Sequence, residues 1–229
     1  MSGALEGRRV VVTGGAGALG AGVCRALVAA GAEVHVPLVD DHGGDLAALG
    51  VRLTPRVNLV DQAQVEAFYA AVGPLWGSIQ LAGGFAMAPI ASITLADFRQ
   101  QLELNAVTCF LACREAVRSI RAAGGGGRIV NVAARAVLRP TASMAAYIAS
   151  KGAVAALTQA LAAELVDENI LVNAVLPSLI DTPANRRAMP TEDFARWPTP
   201  AQLASTILHL VSPDNALQSG ALVPVYGRV

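Results

Sequence analysis

Short apolar runs and longer amphipathic segments alternate along the chain. The short runs are rich in valine, isoleucine and leucine and are mostly bounded by glycine or proline, a pattern typical of strands buried on both faces of a sheet. The sequence predicts seven such strands: RRVVVTG, AEVHVPL, VRLTPRV, GSIQLAGG, GRIVNVAA, ILVNAVLP and GALVPVYG.

Segments with apolar residues at helical spacing lie between these strands. One predicted helix ends at Gly31, another starts at Asp61, and a long segment capped at Gly124 predicts one helix or two abutting helices. The predicted helical segments are LGAGVCRALVAAG, DQAQVEAFYAAV, TLADFRQQLELNAVTCFLACREAVRSIRAAG, MAAYIASKGAVAALTQALAAELVDE and PAQLASTILHLVS. Alternation of apolar strands with helices predicts a parallel sheet covered on both faces. No linker or repeat interrupts this alternation of strands and helices, so residues 1–229 are predicted to form a single doubly wound α/β domain.

Composition and charge exclude several classes of protein. The chain has 229 residues, is 54% apolar and 15% charged, and carries a formal net charge of zero. A disordered chain is poorer in apolar residues, and a nucleic-acid-binding protein normally has a basic surplus. The sequence has no apolar run of about 18 residues, as a membrane span needs, and MSGALEGRRV lacks the order of a secretory signal. We expect a soluble, cytoplasmic protein that binds neither nucleic acid nor membrane.

The three cysteines predict neither disulfides nor a metal site. Cys24, Cys109 and Cys113 are an odd number and cannot form a disulfide framework. Cys109 and Cys113 share a helix face, as half of a metal site would, but no second pair exists and the three histidines are scattered. Buried structural thiols are the better interpretation.

A glycine-rich turn is the first candidate for chemistry. TGGAGALG places Gly14, Gly15, Gly17 and Gly20 between a predicted strand and a predicted helix. Such a turn lets the backbone approach a pyrophosphate, whose charge the amides at the helix start would face. Tight packing of the strand against the helix is the alternative interpretation.

Tyr147 and Lys151, in YIASK, are a candidate acid/base pair. Residues four apart lie on one face of a helix, so Lys151 can lie beside Tyr147. We expect its ammonium group to lower the pKa of the tyrosine from about 10, so that Tyr147 can transfer a proton to or from substrate. The alternative is an ordinary solvated helix face.

Five motifs together resemble one known family. TGGAGALG, LAGG at 81–84, Asn105, YIASK and VNAVLP are similar in order and spacing to those of the short-chain dehydrogenase/reductase family, over essentially the whole chain. The resemblance implies a seven-stranded Rossmann sheet, bound NAD or NADP, hydride transfer to or from a small-molecule substrate, and a homodimer or homotetramer.

The resemblance also implies a set of site residues. Tyr147, Lys151 and Asn105 would be catalytic, with Asn105 supporting a water that leads to Lys151; the alternative for Asn105 is a polar residue on an exposed face. The implied cofactor-binding residues are Gly14, Gly15, Gly17, Ala18, Leu19, Gly20, Leu38, Asn58, Leu59, Ala82, Gly83, Gly84, Ala133, Tyr147, Lys151, Pro177 and Thr182.

The chain departs from the family at the catalytic serine. That serine lies thirteen residues before the tyrosine, and here the position is Ala134. Losing a comparable hydrogen-bond donor costs roughly 10²–10³ in rate, so we expect poor reduction of an unactivated ketone and competence toward an activated C=N or C=O group. Dihydropteridine reductases similarly lack the serine, and this chain resembles them in LAGGF, in KGAV and in VLPSLIDTPANRRAMPTEDF followed by Trp197. The competing hypothesis is a dinucleotide-binding protein without turnover.

Two further regions bear on cofactor and substrate. Leu38 occupies the position where NAD-preferring members carry an acid, but Asp40 and Asp41 follow it and no basic residue lies in the glycine turn or beside Leu38, which favours NAD over NADP. Residues 183–199 are predicted to cover the substrate pocket. Within this segment Met189, Phe194 and Trp197 either line the pocket with Ala134 or pack the segment down.

Overall fold

Seven parallel strands form one sheet in the computed structural model, which describes residues 3–229; Met1 and Ser2 of the predicted domain lie outside the described residues. The strand order is β3-β2-β1-β4-β5-β6-β7, and every neighbouring pair is parallel. The strands are β1 Arg9–Thr13, β2 Glu33–Pro37, β3 Arg52–Thr54, β4 Gly77–Gln80, β5 Gly127–Val132, β6 Ile170–Pro177 and β7 Leu222–Val225. The predicted single-domain α/β fold with seven parallel strands is confirmed.

Helices cover both faces of the sheet, as predicted. They are α1 Ala18–Ala29, α2 Gln62–Val72, α3 Leu95–Leu102, α4 Thr108–Ala123, α5 Ala145–Leu165, α6 Pro183–Ala188 and α7 Pro200–Val211. Side chains of β1 alternate between the two cores: Val11 packs with α2, α4 and α5, whereas Val10 and Val12 pack with α1 and α7. No helix among residues 3–229 combines the length and apolar character that crossing a bilayer requires.

The long helical segment before β5 consists of two helices. α3 and α4 are joined by the π-helical turn Glu103–Val107, which brings Asn105 into the interior. The segment ends at Gly124, which has a left-handed backbone conformation, as the predicted cap requires. The third strand is shorter than predicted because Pro55 follows Thr54 and offers no N–H to a ladder, and Arg56 then has φ +59°. α6 was not predicted.

A buried chain of polar side chains connects β1, β4 and α2. Thr13 Oγ1 donates to Gln80 Oε1 at 3.2 Å, Gln80 Nε2 donates to Ser78 Oγ at 2.7 Å, and the Tyr69 hydroxyl lies 2.9 Å from Ser78 Oγ. The N–H of Ala82 donates to Thr13 Oγ1 at 3.4 Å, which extends the chain to the loop after β4. These bonds fix the strand ends from which that loop begins.

Tyr69→Phe is expected to lower the free energy of unfolding by about 1–2 kcal/mol, because it leaves the buried Ser78 hydroxyl without one of its partners. Urea denaturation monitored by circular dichroism measures the change. Tyr226→Phe is the matched control: this tyrosine is only partly buried, and no described residue bonds its hydroxyl, so a change within about 0.5 kcal/mol is expected. Equal losses of unfolding free energy in the two variants would show that this row of hydrogen-bonded side chains does not stabilise the fold.

Candidate active site

The turn between β1 and α1 fits a pyrophosphate. Gly14 has φ +68°, and a side chain at Gly20 would collide with the Gly14 carbonyl. Gly17 is the N-cap of α1 and supplies no side chain to the first-turn amides, and Ala18 beside it is exposed. The amides at the start of α1 therefore remain open to an anion. Gly15 packs against Val36, so the same glycines also serve the tight packing that was the alternative interpretation.

At the end of β2 the structure brings an acid and a base together. Leu38 is buried, and its backbone bonds to Thr54 and Val57. Asp41 forms an ion pair of 2.9 Å with Arg56. Arg56 was missed from the sequence because it lies fifteen residues further along the chain and reaches Asp41 only through the turn after β3. A guanidinium therefore lies near this strand end together with the carboxylate, although no basic residue is next to Leu38 in the sequence.

The loop after β3 is held by its own hydrogen bonds. The side-chain oxygen of Asn58 accepts from the N–H of Val60 at 3.2 Å, and the backbone N–H of Asn58 donates to Gln64 Oε1 at 2.8 Å. Leu59 packs against the core beside α2 and α4. The amide oxygen of Asn58, one of the implied cofactor-binding residues, is thus already engaged within the loop.

Asn105 fastens the loop after β4 to α5. Its Oδ1 accepts from the N–H of Gly84 at 3.1 Å, and its Nδ2 donates to the carbonyl of Gly84 at 3.0 Å and to Ser150 Oγ at 3.0 Å. The side chain is 1% exposed, so the alternative of an exposed polar residue was wrong. Ser150, which the sequence reasoning missed, also donates to the carbonyl of Tyr147 at 2.8 Å.

Lys151 lies buried between β5 and the loop after β4. Its Nζ donates to the carbonyl of Val132 at 2.8 Å. A methyl group on Gly83 would lie 2.5 Å from Asn105 Oδ1 and 3.3 Å from Lys151 Nζ, so Gly83 fills the narrow space between those two side chains. Burial disfavours the ammonium form and lowers the pKa of Lys151 to about 8.

The pKa of Tyr147 is shifted in the direction opposite to the one predicted from the sequence. Burial raises its pKa to about 12, the direction opposite to the expected lowering by Lys151. The ammonium group of Lys151 is instead occupied by the Val132 carbonyl. The Tyr147 ring packs edge-on against Phe85, with ring centroids 4.9 Å apart, and Phe85 itself is exposed. At neutral pH the phenol is therefore protonated.

The position of the family's serine lies at the end of β5. Ala133 and Ala134 are both buried, and the N–H of Ala133 donates to the carbonyl of Val175 at 3.0 Å. Ser143 has φ +64°, and its carbonyl accepts from the N–H of Ala88 at 2.8 Å. No hydrogen bond among the described residues directs the Ser143 hydroxyl toward Tyr147.

Two arginines follow Ala134 and were missed from the sequence. Arg135 and Arg139 lie over the ring of Tyr226, at 5.5 and 5.9 Å from its centroid. The Nε of Arg135 is shielded from solvent, and within residues 3–229 it donates no hydrogen bond. The carboxyl edge of β5 and β7 is thus basic.

The segment predicted to cover the pocket begins after β6. Pro177 ends that strand, and Thr182 caps α6 by accepting from the N–H of Asn185 at 3.2 Å. Asp181 forms a two-point ion pair with Arg186, at 2.6 and 2.8 Å, which lowers the pKa of the Asp181 carboxyl.

Within this segment Trp197 is buried at 3% exposure, whereas Met189 and Phe194 are partly exposed. The rings of Phe194 and Trp197 lie 5.1 Å apart. Trp197 therefore packs the segment down, and Met189 and Phe194 remain the two candidates to line a pocket.

The cysteines form no site. Cys24, Cys109 and Cys113 are free and buried, and the Sγ atoms of Cys109 and Cys113 lie 3.9 Å apart. Across residues 3–229 no group of three or more His, Cys, Asp or Glu side chains is arranged to hold a metal ion.

The fold and the cleft together define a nucleotide-binding α/β domain with a tyrosine–lysine pair at the carboxyl edge of its sheet. A family profile described as short chain dehydrogenase matches residues 8–193. The chain belongs to the short-chain dehydrogenase/reductase family and is an NAD(P)-dependent oxidoreductase.

Curated relatives match almost end to end. A 3-alpha-(or 20-beta)-hydroxysteroid dehydrogenase of Mycobacterium bovis is 31% identical, over 99% of this chain and 91% of the relative. L-xylulose reductase of Bos taurus is also 31% identical, over 97% of this chain and 96% of the relative.

Solved structures are similarly close in fold. A short-chain type dehydrogenase/reductase from Mycobacterium ulcerans has a TM-score of 0.92 at 26% identity, covering 100% of this chain and 90% of that one. A 3-ketoacyl-(acyl-carrier-protein) reductase from Brucella melitensis, complexed with NADH, has a TM-score of 0.87 at 26% identity, covering 98% and 99%.

Gly83→Ala is expected to lower both stability and dinucleotide affinity, because the added methyl would displace Asn105 Oδ1 and crowd Lys151 Nζ. We expect a loss of about 1–3 kcal/mol in the free energy of unfolding, typical of overpacking a filled site. Urea denaturation and calorimetric titration with NADH and NADPH measure the two effects.

Gly152→Ala is the matched control. Gly152 lies on α5 next to Lys151, and an added methyl meets nothing within 4 Å. Alanine should stabilise the helix there by up to about 1 kcal/mol. If Gly83→Ala were neutral or stabilising like Gly152→Ala, the proposed crowding between Asn105 and Lys151 would be wrong.

Lys151 is expected to make stability rise with pH from about 8 to about 10.5. Its pKa falls from 10.5 in the unfolded chain to about 8 when buried, so across this window the unfolded chain holds a proton that the folded protein has lost. Below about pH 8 both states are protonated, and the folded protein bears the cost of a buried ammonium. The buried thiols of Cys24 and Cys113 act in the opposite direction above about pH 9, because burial raises the pKa of Cys24 from 9.0 to about 12 and the contact with Cys109, together with burial, raises the pKa of Cys113. Tyr147 does so above pH 10, because its pKa is raised from 10.0 to about 12. The net rise in the free energy of unfolding is therefore expected between about pH 8 and pH 9.

Two measurements check this dependence. Lys151 is the only lysine among the 17 lysine and arginine residues, so an NMR titration of lysine-labelled protein reports a single side chain. We expect a midpoint near 8, and Lys151→Met should flatten the rise in unfolding free energy. A midpoint near 10.5 would show that burial does not control this amine.

Proposed function

We propose that the protein reduces an activated C=N or C=O group of a small molecule, with Tyr147 as the proton donor. The observation that carries this proposal is the combination of a buried lysine, a half-buried protonated tyrosine and an alanine at the serine position. A bound nicotinamide dinucleotide would supply the hydride for this chemistry.

Residues along the carboxyl edge of the sheet would hold that dinucleotide. The amides at the start of α1, after Gly14–Gly20, would receive the pyrophosphate. Lys151 would contact the ribose next to the nicotinamide, and Pro177 and Thr182 would flank the amide of the ring. Asp40 and Asp41 support a preference for NAD, and the Arg56 guanidinium, paired with Asp41 at 2.9 Å, is the cation that would support NADP instead.

Tyr147 would donate its proton directly to the substrate atom that is reduced. A pKa near 12 keeps the phenol protonated at neutral pH, which is the form that reduction needs. Lys151 would hold α5 against the end of β5 through its hydrogen bond to the Val132 carbonyl, and Asn105 would fix the loop after β4 against α5. These roles make Lys151 a positioning group as much as a proton carrier, and they make Asn105 a positioning group.

Ala134 supports an activated substrate. No hydroxyl at this position can bind a substrate carbonyl, and a missing donor of this kind costs about 2.7–4 kcal/mol in transition-state stabilisation. A conjugated imine, as in a quinonoid dihydropterin, accepts hydride without such help. A dihydropteridine reductase activity is therefore the specific version of the proposal, with residues 183–199 covering the pocket and Met189 and Phe194 lining it.

A dinucleotide-binding protein without turnover was the competing hypothesis, and membership of a family of dehydrogenases and reductases counts against it. Ala134 and the apolar Leu38 favour it. The single lysine argues against it: arginine fills every other basic position of the chain, but Lys151 keeps an amine, the group whose pKa burial can lower toward neutral. A merely structural cation would not need that choice.

The deciding experiment measures oxidation of NADH and NADPH with quinonoid dihydropterin, in the parent, in Tyr147→Phe and in Ala134→Ser. We expect turnover in the parent and a loss of about 10²-fold or more in Tyr147→Phe, because the proton donor is removed. Calorimetry measures dinucleotide affinity in the same variant, because Tyr147 is also an implied cofactor-binding residue; the loss of rate should exceed any loss of affinity.

Ala134→Ser distinguishes an activated substrate from an ordinary ketone. With an unactivated ketone as acceptor, the added hydroxyl should raise the rate by about 10²-fold, and the pterin rate should change little. Tight dinucleotide binding with no turnover of either acceptor in any variant would favour the non-catalytic candidate.

A further inference from the structure

A cavity lies at the amino edge of the sheet, opposite the candidate active site. It has a volume of about 330 Å³, and its lining comes from the residues just before β1, β4 and β5. Because the strands are parallel, their amino ends meet at this edge, away from Tyr147 and Lys151. Arg8, Arg9, Trp76, Gly125 and Gly126 line it, and no acidic side chain does.

Arg8 is the half-buried cation of this cavity. Its guanidinium lies over the indole of Trp76, 3.7 Å from the ring centroid. Within the described part of the chain no hydrogen bond or ion pair engages the Arg8 side chain. The indole N–H of Trp76 donates to the carbonyl of Val211 at 2.8 Å, so the ring offers the cavity only an apolar surface.

Arg128 adds a buried positive charge beneath the same ring. It is 3% exposed, lies 5.0 Å from the Trp76 centroid, and donates only to backbone carbonyls, those of Asn215, Gly127 and Asn169. Burial first, and then the charge of Arg8, lower the pKa of Arg128. The two guanidiniums are therefore close enough to repel each other.

Glu33, the carboxylate that pairs with Arg9, compensates little of this positive charge. Its Nη1 donates to the carbonyl of Val72 at 2.8 Å, and its Nε lies 3.6 Å from Glu33 Oε2. Glu33 is shared with Arg52 at 2.9 Å and with His35 at 3.0 Å. One carboxylate thus serves several cations and lies outside the lining of the cavity.

Backbone donors complete the lining. The N–H groups of Gly125 and Gly126 donate to no acceptor among residues 3–229, although both residues border the cavity. A side chain at Gly125 would meet nothing within 4 Å, so the space beside Gly125 is open, whereas a side chain at Gly126 would collide with Asn169. Guanidinium and amide donors without an acidic acceptor are the chemistry that binds oxyanions.

We propose that this cavity is a second ligand site, which binds the phosphate or carboxylate group of a small molecule with Arg8 as its main contact. Its volume is at the lower end of the range for small-molecule sites. The site is separate from the catalytic cleft and does not depend on the reaction catalysed there.

Calorimetric titration of the full chain with inorganic phosphate tests the site, at constant ionic strength and with saturating NADH so that the glycine turn cannot bind the probe. We expect saturable binding that weakens about tenfold in Arg8→Gln. Arg25→Gln is the matched control, because Arg25 is an exposed arginine on α1 away from the cavity, and binding should be unchanged. Glycerol 3-phosphate and succinate as further probes distinguish a phosphate ester from a dicarboxylate.

Gly125→Asp provides a second variant that does not disturb the Arg8–Trp76 stack. It places a carboxylate at the opening of the cavity and should abolish phosphate binding. The proposal is overturned if phosphate binds equally to the parent, Arg8→Gln and Gly125→Asp, or if chloride at equal ionic strength gives the same heat. Should NADH fail to bind, the comparison of Arg8→Gln with Arg25→Gln still decides the question, because both keep the glycine turn.

Discussion

The buried amine of Lys151 is the interaction on which the cleft depends. It is joined to β5 through the Val132 carbonyl, it lies next to the backbone of Gly83, and Asn105 closes the space on the other side. A buried charged group is tolerated only where its hydrogen bonds are satisfied. The loop after β4, the π-helical turn and the start of α5 must therefore keep fixed positions around one nitrogen atom.

The choice of lysine over arginine follows from the same burial. Arginine keeps its charge at any physiological pH, whereas a buried lysine can lose a proton near pH 8. The chain has arginine at every other basic position, including the surface ion pairs of Arg114, Arg121 and Arg186. An amine is retained only where low dielectric and proton exchange both act on it. Neighbouring Tyr147 responds to the same burial in the opposite sense, because its charged form is the phenolate.

The fold could be predicted from the sequence because its information is local. Apolar runs such as those of β5 and β6, and the caps at Asp61 and Gly124, follow from neighbouring residues alone. The site was harder to predict from the sequence, since its decisive contacts join residues far apart along the chain. Asn105 to Gly84, Asp41 to Arg56, and Arg135 to Tyr226 depend on the packing of separate elements. The predicted direction of the Tyr147 pKa shift was wrong for the same reason. Helical spacing shows which residue is a neighbour, but it does not show how deeply the tyrosine is buried.

Ala134 and Lys151 together define what this cleft can do. In the proposed function, Lys151 and Tyr147 would keep the groups that move a proton, whereas Ala134 would lack the hydroxyl that polarises a substrate carbonyl. Such a site would protonate the reduced atom but would activate the substrate for hydride addition less than a site with the hydroxyl. The electrophile must then supply the missing activation itself, about 2.7–4 kcal/mol by comparison with known donors. Extended conjugation in the substrate would act in this direction, since hydride addition then leaves charge spread over several atoms rather than on one oxygen. On the proposed function, the missing hydroxyl would therefore restrict the range of substrates rather than abolish activity.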